Sequence, residues 1–259
     1  MTEHLTTLKT QLTRLKLSGM NQTLDIRLME AENNNLSYSE WLSLLLDDEL
    51  EKRGERKLKS LISRAGIGNQ QTLENFDFTF NPLINKKQIK ELALCHFASK
   101  GENIFFLGPT GTGKTHLTKA ICHQACRSNL TVAYFRFYEF FNYLKTADIN
   151  NKLSKTMAYL QKVNILAIDD FAFKKIDQVA AEYLYAIVDS RYRQASVIIT
   201  SNRALNDWAN IFPDPIVANA ILDRLAHCAH QIVIKGESYR KKNAKNNNNE
   251  NEKYKNANE

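Results

Sequence analysis

Gly108-Pro109-Thr110-Gly111-Thr112-Gly113-Lys114-Thr115 is the stretch that decides the fold of this 259-residue chain. It fits the pattern G-x-x-x-x-G-K-[ST], whose backbone N–H groups wrap phosphates. An apolar run at 103–107 precedes the loop and a helical pattern follows from His116, which is the strand, loop and helix order that the motif requires. The helix N-terminus adds to the attraction for anionic oxygens. The loop therefore predicts a site for ATP, with Lys114 on the phosphates and Thr115 on Mg²⁺.

Composition and hydropathy indicate a cytoplasmic protein with no membrane contact. Hydrophobic residues make up 43% of the chain, and the mean hydropathy is −0.42. No apolar stretch approaches the roughly 18 residues that a membrane span needs, and the N-terminus lacks the basic-then-apolar order of a secretion signal. The four cysteines show neither disulfide spacing nor a C-x-x-C pair, so we expect small core residues and no zinc site.

The charge of the chain favours nucleic acid as a partner. The formal net charge is +7, divided as −1 over residues 1–75, +5 over 76–234 and +3 over 235–259. A basic body and a basic tail attract the phosphates of DNA. Within the body, the best candidates for phosphate contacts lie in the stretch 145–162, where we expect lysines without nearby acids, namely Lys145, Lys152, Lys155 and Lys162.

Residues 1–68 predict a small all-helical domain. Leu5, Leu8, Leu12 and Leu15 recur at helical spacing and define one apolar face. Ser18-Gly19 breaks that helix, and a second helix is expected over about 21–32. The sequence Ser37-Tyr38-Ser39-Glu40 matches a capping box, which predicts the start of a long helix that ends near Arg64. Its basic second half is equally consistent with a solvated face and with a contact to DNA or another subunit.

Residues 71–240 alternate short apolar strands with helices, which is typical of a parallel sheet with crossover helices in a three-layer α/β/α fold. Strands are expected at 103–107, 131–135, 163–168, 196–200 and 230–234, and helices at about 86–99, 114–128, 137–146, 152–160 and 177–193. Residues 241–259 are rich in Asn, Lys and Glu with almost nothing apolar, so we expect a disordered tail.

Two carboxylates follow the strand predicted at 163–168. We expect this strand to lie beside the loop strand, so that its end presents Asp169 to the Mg²⁺ coordination sphere. Asp170 is then placed to polarise the attacking water as a general base. An Asp-Asp pair alone is a weak signal, but its position about 55 residues after Lys114 supports the ATP site.

Three further polar residues follow predicted elements in the second half of the chain. Asn202 comes after the strand at 196–200 and could hold the attacking water, although an Asn at a strand end is common in turns. Arg224 lies in an apolar helical segment, and Arg240 follows the last strand. In a protein with a phosphate loop, such arginines can reach transition-state phosphate oxygens, often those of a neighbouring subunit.

These segments together resemble the AAA+ ATPases of the initiator clade, and more narrowly the IstB-type ATP-binding proteins of insertion sequences, which are related to the DnaC helicase loader. The resemblance covers about residues 1–240. It is carried by the N-terminal leucine-rich helices, the segment 73–78, the loop 108–115, and the runs 168–172, 200–203, 221–225 and 236–240.

The resemblance implies a homo-oligomeric ATPase that assembles on double-stranded DNA, deforms it and helps a transposase to select its target. It implies Walker A at 108–115, Walker B at Asp169-Asp170, sensor 1 at Asn202, an arginine finger at Arg224 and a sensor-2-like residue at Arg240. The second Walker B residue is usually Glu in AAA+ proteins, so the shorter Asp170 is a departure that bears on the rate of hydrolysis.

Three other functions use the same residues. A DnaC-like helicase loader shares the ATPase core and differs in the partner of its N-terminal helices. A small-molecule P-loop kinase uses Lys114 and Asp169 alike, but leaves Arg224 without a neighbouring subunit to act on. A nucleotide-switched DNA scaffold with little turnover is compatible with Asp170.

Overall fold

The computed structural model describes residues 2–68 and 70–239, which form two compact units. The first unit is Met1–Ser60 and the second begins at Leu61. The division lies inside the helix α3, Tyr38–Ala65, whereas the sequence places the end of the helical domain at residue 68. Arg240 and the tail at 241–259 lie outside the described residues.

The first unit contains α1 (Thr2–Arg14), α2 (Ser18–Asn34) and the first part of α3. Its core is formed by Leu12, Met20, Leu24 and Leu45. Leu15 does not share this core and is 66% exposed, because α1 ends one residue earlier and Lys16 turns the chain with a φ of 58°. The apolar face predicted for α1 is therefore one residue shorter than its leucine spacing indicates.

The helix starts of the first unit are fixed by carboxylates. Glu40 accepts a hydrogen bond from the Ser37 backbone N–H at 2.8 Å, and the Ser37 hydroxyl accepts one from the Glu40 N–H at 3.3 Å, so the predicted capping box is confirmed. α2 begins at Ser18, three residues before its predicted start. The reason is Glu49, which accepts a hydrogen bond from the Gly19 N–H at 2.6 Å and thereby satisfies a donor of the first turn.

The second unit is built on a five-stranded parallel sheet. Its strands are β1 (Asn103–Leu107), β2 (Val132–Arg136), β3 (Ile165–Asp169), β4 (Ser196–Ser201) and β5 (Ala229–Val233). The spatial order is β2-β3-β4-β1-β5, and each pair is parallel. The α/β/α class and all five strand positions predicted from the sequence are confirmed, to within two residues at each end.

The predicted neighbour of the loop strand is wrong. β1 pairs with β4, not with β3, and β4 separates the two strands that carry the phosphate loop and Asp169. All six residues of β4 are buried, as a strand covered on both faces requires. Ile198 at its centre pairs with Ile104 on one side and with Ala167 on the other.

Two short helices precede β1, namely α4 (Lys86–Leu92) and α5 (His96–Lys100). The crossovers between the strands contain α6 (Lys114–Arg127), α7 (Phe137–Ile149), α8 (Leu153–Lys162), α9 (Gln178–Arg191) and α10 (Pro215–Ala226). A 3-10 helix, Leu205–Ile211, precedes α10. The single helix predicted over 86–99 is two helices, because Cys95 adopts a left-handed φ of 60°. The main core lies between the sheet and these helices and includes Phe105, Phe140, Ile187 and Trp208.

Among the described residues, no helix has both the length and the apolar character needed to cross a bilayer.

Candidate nucleotide-binding site

The phosphate loop leaves β1 in a backbone conformation that needs glycine, as two of its positions show. Gly108 has a φ of +145°, and a Cβ there would lie 2.0 Å from the carbonyl oxygen of Ile234. Gly113, at the start of α6, has a φ of +97°, and a Cβ there would lie 2.8 Å from the ring of Phe76. The loop therefore fits between the end of β5 and an aromatic ring only because these residues lack side chains.

Lys114 is held inside this loop. Its side chain is buried, with the residue only 6% exposed, and Nζ donates hydrogen bonds of 2.7 Å to the carbonyl oxygens of Gly108 and Pro109. Thr112 donates a further 2.9 Å bond to the same Pro109 carbonyl. The ammonium group thus lies at the centre of the loop, where an anionic phosphate would replace carbonyl oxygens as its partner.

Asp169, at the end of β3, lies opposite the loop. The Thr115 hydroxyl is 3.0 Å from each of its two carboxylate oxygens. Thr200 of β4 donates to Oδ1, and Tyr134 of β2 donates to Oδ2 at 2.7 Å. Although β4 separates β1 from β3, the carboxyl ends of these parallel strands meet at one edge of the sheet, which brings Thr115 and Asp169 together.

The tyrosine partner of this carboxylate stays protonated. Burial of the ring, followed by the negative charge of Asp169, raises the pKa of the Tyr134 hydroxyl above its ordinary value. A phenol with a raised pKa remains a hydrogen-bond donor at neutral pH. Neither Tyr134 nor Thr200 stands out in the sequence as a site residue, because each lies within an apolar strand.

Asp170 has a different environment from Asp169. Its backbone is left-handed, with a φ of 56°, and its N–H donates to the Thr200 hydroxyl at 2.9 Å. The turn directs this exposed residue into the lining of a cavity that Lys114 and Thr115 also line. The two carboxylates thus have different surroundings, with Asp169 buried beside Thr115 and Asp170 in the lining of the cavity.

The cavity has a volume of about 400 Å³, within the range of small-molecule and cofactor sites. The loop residues 110–116 form one wall, and the segment 71–81 with Tyr239 forms the other. The rings of Phe80 and Tyr239 meet edge to face at 4.9 Å, and the Tyr239 N–H donates to the Gly111 carbonyl at 3.0 Å. The aromatic residues of this second wall were not predicted as site residues. They come from segments before β1 and after β5, and only the fold brings these segments to the loop.

The other predicted site residues lie elsewhere. Asn202 follows β4 directly, is exposed and does not line the cavity. Arg224 of α10 forms an ion pair of 2.9 Å with Asp189 of α9, and its guanidinium lies over the Tyr185 ring at 5.2 Å. Neither position brings the side chain to the cavity of its own chain, so the sensor-1 and arginine-finger roles remain predictions.

The lysines predicted to meet DNA fall into two groups. Lys145 lies 2.6 Å from Asp177, so the prediction that it has no acidic neighbour is wrong; the fold brings α7 to the start of α9. Lys152, Lys155 and Lys162 lie at or within α8 and are exposed. They remain candidates for phosphate contacts.

The donor set at the end of β3 fits Mg²⁺ bound together with a nucleotide. The described part of the chain contains no group of three His, Cys, Asp or Glu side chains that could hold a metal ion by themselves. Mg²⁺ does not need such a group, since in phosphoryl-transfer sites one or two protein oxygens, water and substrate phosphates complete its shell. The hydroxyl of Thr115 and the carboxylate of Asp169, 3.0 Å apart, supply two oxygens of that kind.

Known proteins of insertion sequences match nearly the whole chain. The sequence model of the IstB-like ATP-binding protein family covers residues 10–247. The ATP-binding protein of insertion sequence IS5376 from Geobacillus stearothermophilus is 36% identical over 229 residues, which is 88% of this chain and 90% of the relative. The ATP-binding protein of insertion sequence IS21 from Pseudomonas aeruginosa is 35% identical over 235 residues, which is 91% of this chain and 89% of the relative.

Solved structures similar to this fold include replication proteins. DnaI covers 70% of this chain and 92% of its own, with a TM-score of 0.56 and 20% identity. AMPPCP-bound DnaA from Aquifex aeolicus covers 71% of this chain and 56% of its own, with a TM-score of 0.57 and 22% identity. These likenesses show an AAA+ fold. The family match over residues 10–247 shows that the chain belongs to the IstB-like ATP-binding proteins.

Proposed function

We propose that this protein is a DNA-stimulated ATPase that acts as a homo-oligomer on double-stranded DNA and helps a transposase to select its target. The observation that carries the proposal is the cavity beside the phosphate loop, lined by Lys114, Thr115 and Asp170, in a chain whose relatives are ATP-binding proteins of insertion sequences. Those names favour transposition over helicase loading, because the likeness to the DnaC helicase loader, at 21% identity and a TM-score of 0.51, extends only to the fold.

The loop residues divide the binding of ATP among them. Lys114 exchanges its two carbonyl partners for the β- and γ-phosphates, and the amides of residues 110–113 surround the phosphate chain. Thr115 and Asp169 would hold Mg²⁺, which would neutralise charge on the phosphates. The aromatic wall formed by Phe80 and Tyr239 offers an apolar surface for the base. One protein of similar fold, DnaA, was solved with the ATP analogue AMPPCP, which supports this use of the fold.

Hydrolysis needs a group that orients water and a group that stabilises charge. Asp170 faces the cavity and accepts the proton of the attacking water. Arg224 lies outside the cavity of its own chain, at the α9–α10 contact, and we assign it to the ATP site of a neighbouring subunit. Asn202 and Arg240 complete the proposed set as sensors of the bound nucleotide.

DNA and the transposase are the proposed partners. The net charge of +7 attracts DNA, and the exposed Lys152 and Lys155 offer phosphate contacts. The insertion-sequence names of the relatives support a transposase as the protein partner. A cytoplasmic location, where such elements meet DNA, belongs to the same proposal.

A phosphate-release assay with and without double-stranded DNA tests the proposal. We expect turnover that rises with DNA, and a Lys114→Ala variant that loses nucleotide binding and hydrolysis. Lys90→Ala removes an exposed lysine of α4 and serves as the control. Molecular mass measured with ATP and DNA should correspond to an oligomer. A monomer without turnover on DNA, or a Lys114→Ala variant with unchanged turnover, would contradict the proposal.

A further inference from the structure

We propose that Tyr134 is a positioning residue for Asp169, and that its phenol sets the orientation in which the carboxylate receives Mg²⁺. The inference rests on the proposed function, since it concerns the metal that accompanies ATP. Tyr134 belongs to β2, the edge strand on the far side of β3 from the phosphate loop. It acts through Asp169, and it does not line the cavity itself.

The hydroxyl groups around Asp169 divide into two kinds. Thr115 is 3.0 Å from both carboxylate oxygens and belongs to the phosphate loop, so its hydroxyl would have to leave the carboxylate in order to ligate Mg²⁺. Thr200 donates to Oδ1 and Tyr134 donates to Oδ2 at 2.7 Å, and both belong to the sheet. With one fixed donor on each oxygen, the plane of the carboxylate stays set after Thr115 has turned away.

The position of the phenol is itself fixed. Tyr134 pairs with Ala167, two residues before Asp169 on the neighbouring strand, and only 9% of its surface is exposed. Lys119 of α6 lies over the ring, with Nζ 5.0 Å from the centroid. Because α6 begins at the phosphate loop, the ring is held between the helix that follows the loop and the strand that carries Asp169.

The chemistry of the residue supports a donor role. A phenylalanine would fill the same space and keep the contact with Lys119, so packing alone does not require the hydroxyl. The hydroxyl donates to Asp169 Oδ2 at 2.7 Å, and phenylalanine cannot make this bond. Outer-shell donors of this kind orient metal ligands in many metal sites.

Tyr134→Phe in the full chain tests the inference without a turnover assay. Binding of a fluorescent ATP analogue is measured by anisotropy, first in EDTA and then while Mg²⁺ is added. We expect an unchanged affinity in EDTA and a Mg²⁺ midpoint that is about tenfold higher than in the wild type, at the lower end of the effect of outer-shell substitutions. In an Asp169→Asn background, the same Tyr134→Phe change should shift the midpoint no further.

Tyr183→Phe is the matched control. Tyr183 of α9 donates to Asp148 at 2.8 Å, so this variant removes the same type of hydrogen bond away from the cavity and should leave the Mg²⁺ midpoint unchanged. A Tyr134→Phe midpoint equal to that of the wild type would overturn the inference. Two other results for Tyr134→Phe would also overturn it, namely a loss of nucleotide affinity in EDTA and a loss of folded structure measured by circular dichroism. Both would show that the phenol stabilises the core. A wild-type chain that binds no nucleotide would instead contradict the proposed function.

Discussion

Asp169 and Asp170 are adjacent in sequence but have opposite surroundings. Asp169 is 1% exposed and accepts hydrogen bonds from hydroxyl groups of three separate elements. Asp170 is exposed and turns into the cavity through a left-handed backbone, with a φ of 56°. Asp and Asn adopt this conformation at lower cost than longer side chains do. The shorter acid in place of the Glu usual in AAA+ proteins therefore suits the turn.

Asp170→Asn separates binding from hydrolysis. The amide has the same shape, tolerates the left-handed turn and leaves the backbone bond to Thr200 in place. We expect nucleotide affinity within about threefold of the wild type, and DNA-stimulated turnover lowered by about 10²–10⁴-fold, the usual contribution of a general base. Phosphate release and equilibrium binding measure the two effects. Asp207→Asn, at an exposed position outside the cavity, is the control. Turnover at the wild-type rate in Asp170→Asn would exclude Asp170 as the base.

The residues of the site differ in how far the sequence predicts them. The loop 108–115 and Asp169 follow from local pattern, since a strand, a turn and a helix carry their own signals. Thr200 and Tyr134 contact Asp169 only because β4 and β2 flank β3, and strand order has no local signature. Tyr239 reaches Gly111 through a backbone hydrogen bond that depends on the end of β5 passing the loop.

At the level of elements, predicted strands are more accurate than predicted helix ends. β1 and β4 are buried at every position, and the apolar residues at their centres mark where each strand lies in the sequence. Helix ends depend on partners distant in sequence, such as Glu49 at the start of α2. The break between α4 and α5 depends on a left-handed cysteine, a residue type that is not a usual turn former.

The contact between α9 and α10 determines how Arg224 is presented. Its ion pair with Asp189 is partly exposed, with 28% and 51% of the two side chains accessible, and such pairs contribute only about 0–1 kcal/mol. Arg224 can therefore leave Asp189 for a phosphate of a neighbouring subunit at low cost. We expect Arg224→Ala to fold and bind nucleotide, but to lose DNA-stimulated turnover.

Mixing experiments show whether the arginine acts between subunits. Lys114→Ala subunits have a defective loop but an intact Arg224, and Arg224→Ala subunits have the reverse, so a mixture should recover part of the turnover. Arg193→Ala is the control, because Arg193 lines the same small cavity as Arg224. We expect this variant to hydrolyse ATP at the wild-type rate. If the mixture stays inactive although both variants assemble on DNA, the arginine does not act across a subunit contact.

The first turn of α2 should be sensitive to acid. Burial raises the pKa of Glu49, but the bonds from Arg53 and from the Gly19 and Met20 N–H groups outweigh it, and the net pKa lies below the ordinary value of 4.5. A depressed pKa means that the ionised form stabilises the fold. This contribution is complete above the ordinary pKa and is lost as the pH falls through the lower folded value.

Hydrogen exchange of peptides at the start of α2 measures this contribution. We expect Glu49→Gln to speed exchange about 10- to 100-fold at pH 7, because a charge-assisted hydrogen bond contributes on the order of 1.5–3 kcal/mol. The effect should shrink when the pH is well below 4.5, where the wild-type carboxyl is itself protonated. Glu51→Gln, exposed on the same helix, is the control. Equal exchange in Glu49→Gln and the wild type at pH 7 would show that Glu49 does not stabilise this turn.

At the scale of the whole molecule, the net charge of +7 can attract DNA in two ways. The charge can act as a whole, or DNA phosphates can contact particular lysines on one surface. Lys145 is neutralised by Asp177. Lys152 lies at the N-cap of α8, where a positive charge opposes the helix dipole, and Lys155 follows on the first turns. Both are exposed. Because Lys152 does not stabilise the helix dipole, we propose that it contacts a phosphate of bound DNA.

The salt dependence of DNA affinity distinguishes a general attraction by net charge from specific phosphate contacts at α8. DNA affinity should fall steeply between about 50 and 200 mM salt, and Lys152→Ala/Lys155→Ala should weaken binding and reduce the slope of log K against log salt by about two, one for each phosphate contact. The control, Lys87→Ala/Lys90→Ala, removes two exposed charges from α4 of the same unit. Anisotropy of a labelled duplex measures both pairs at several salt concentrations. If the two pairs lower the slope equally, DNA responds to total charge and not to the surface at α8, whereas a reduction confined to the α8 pair places the DNA phosphates there.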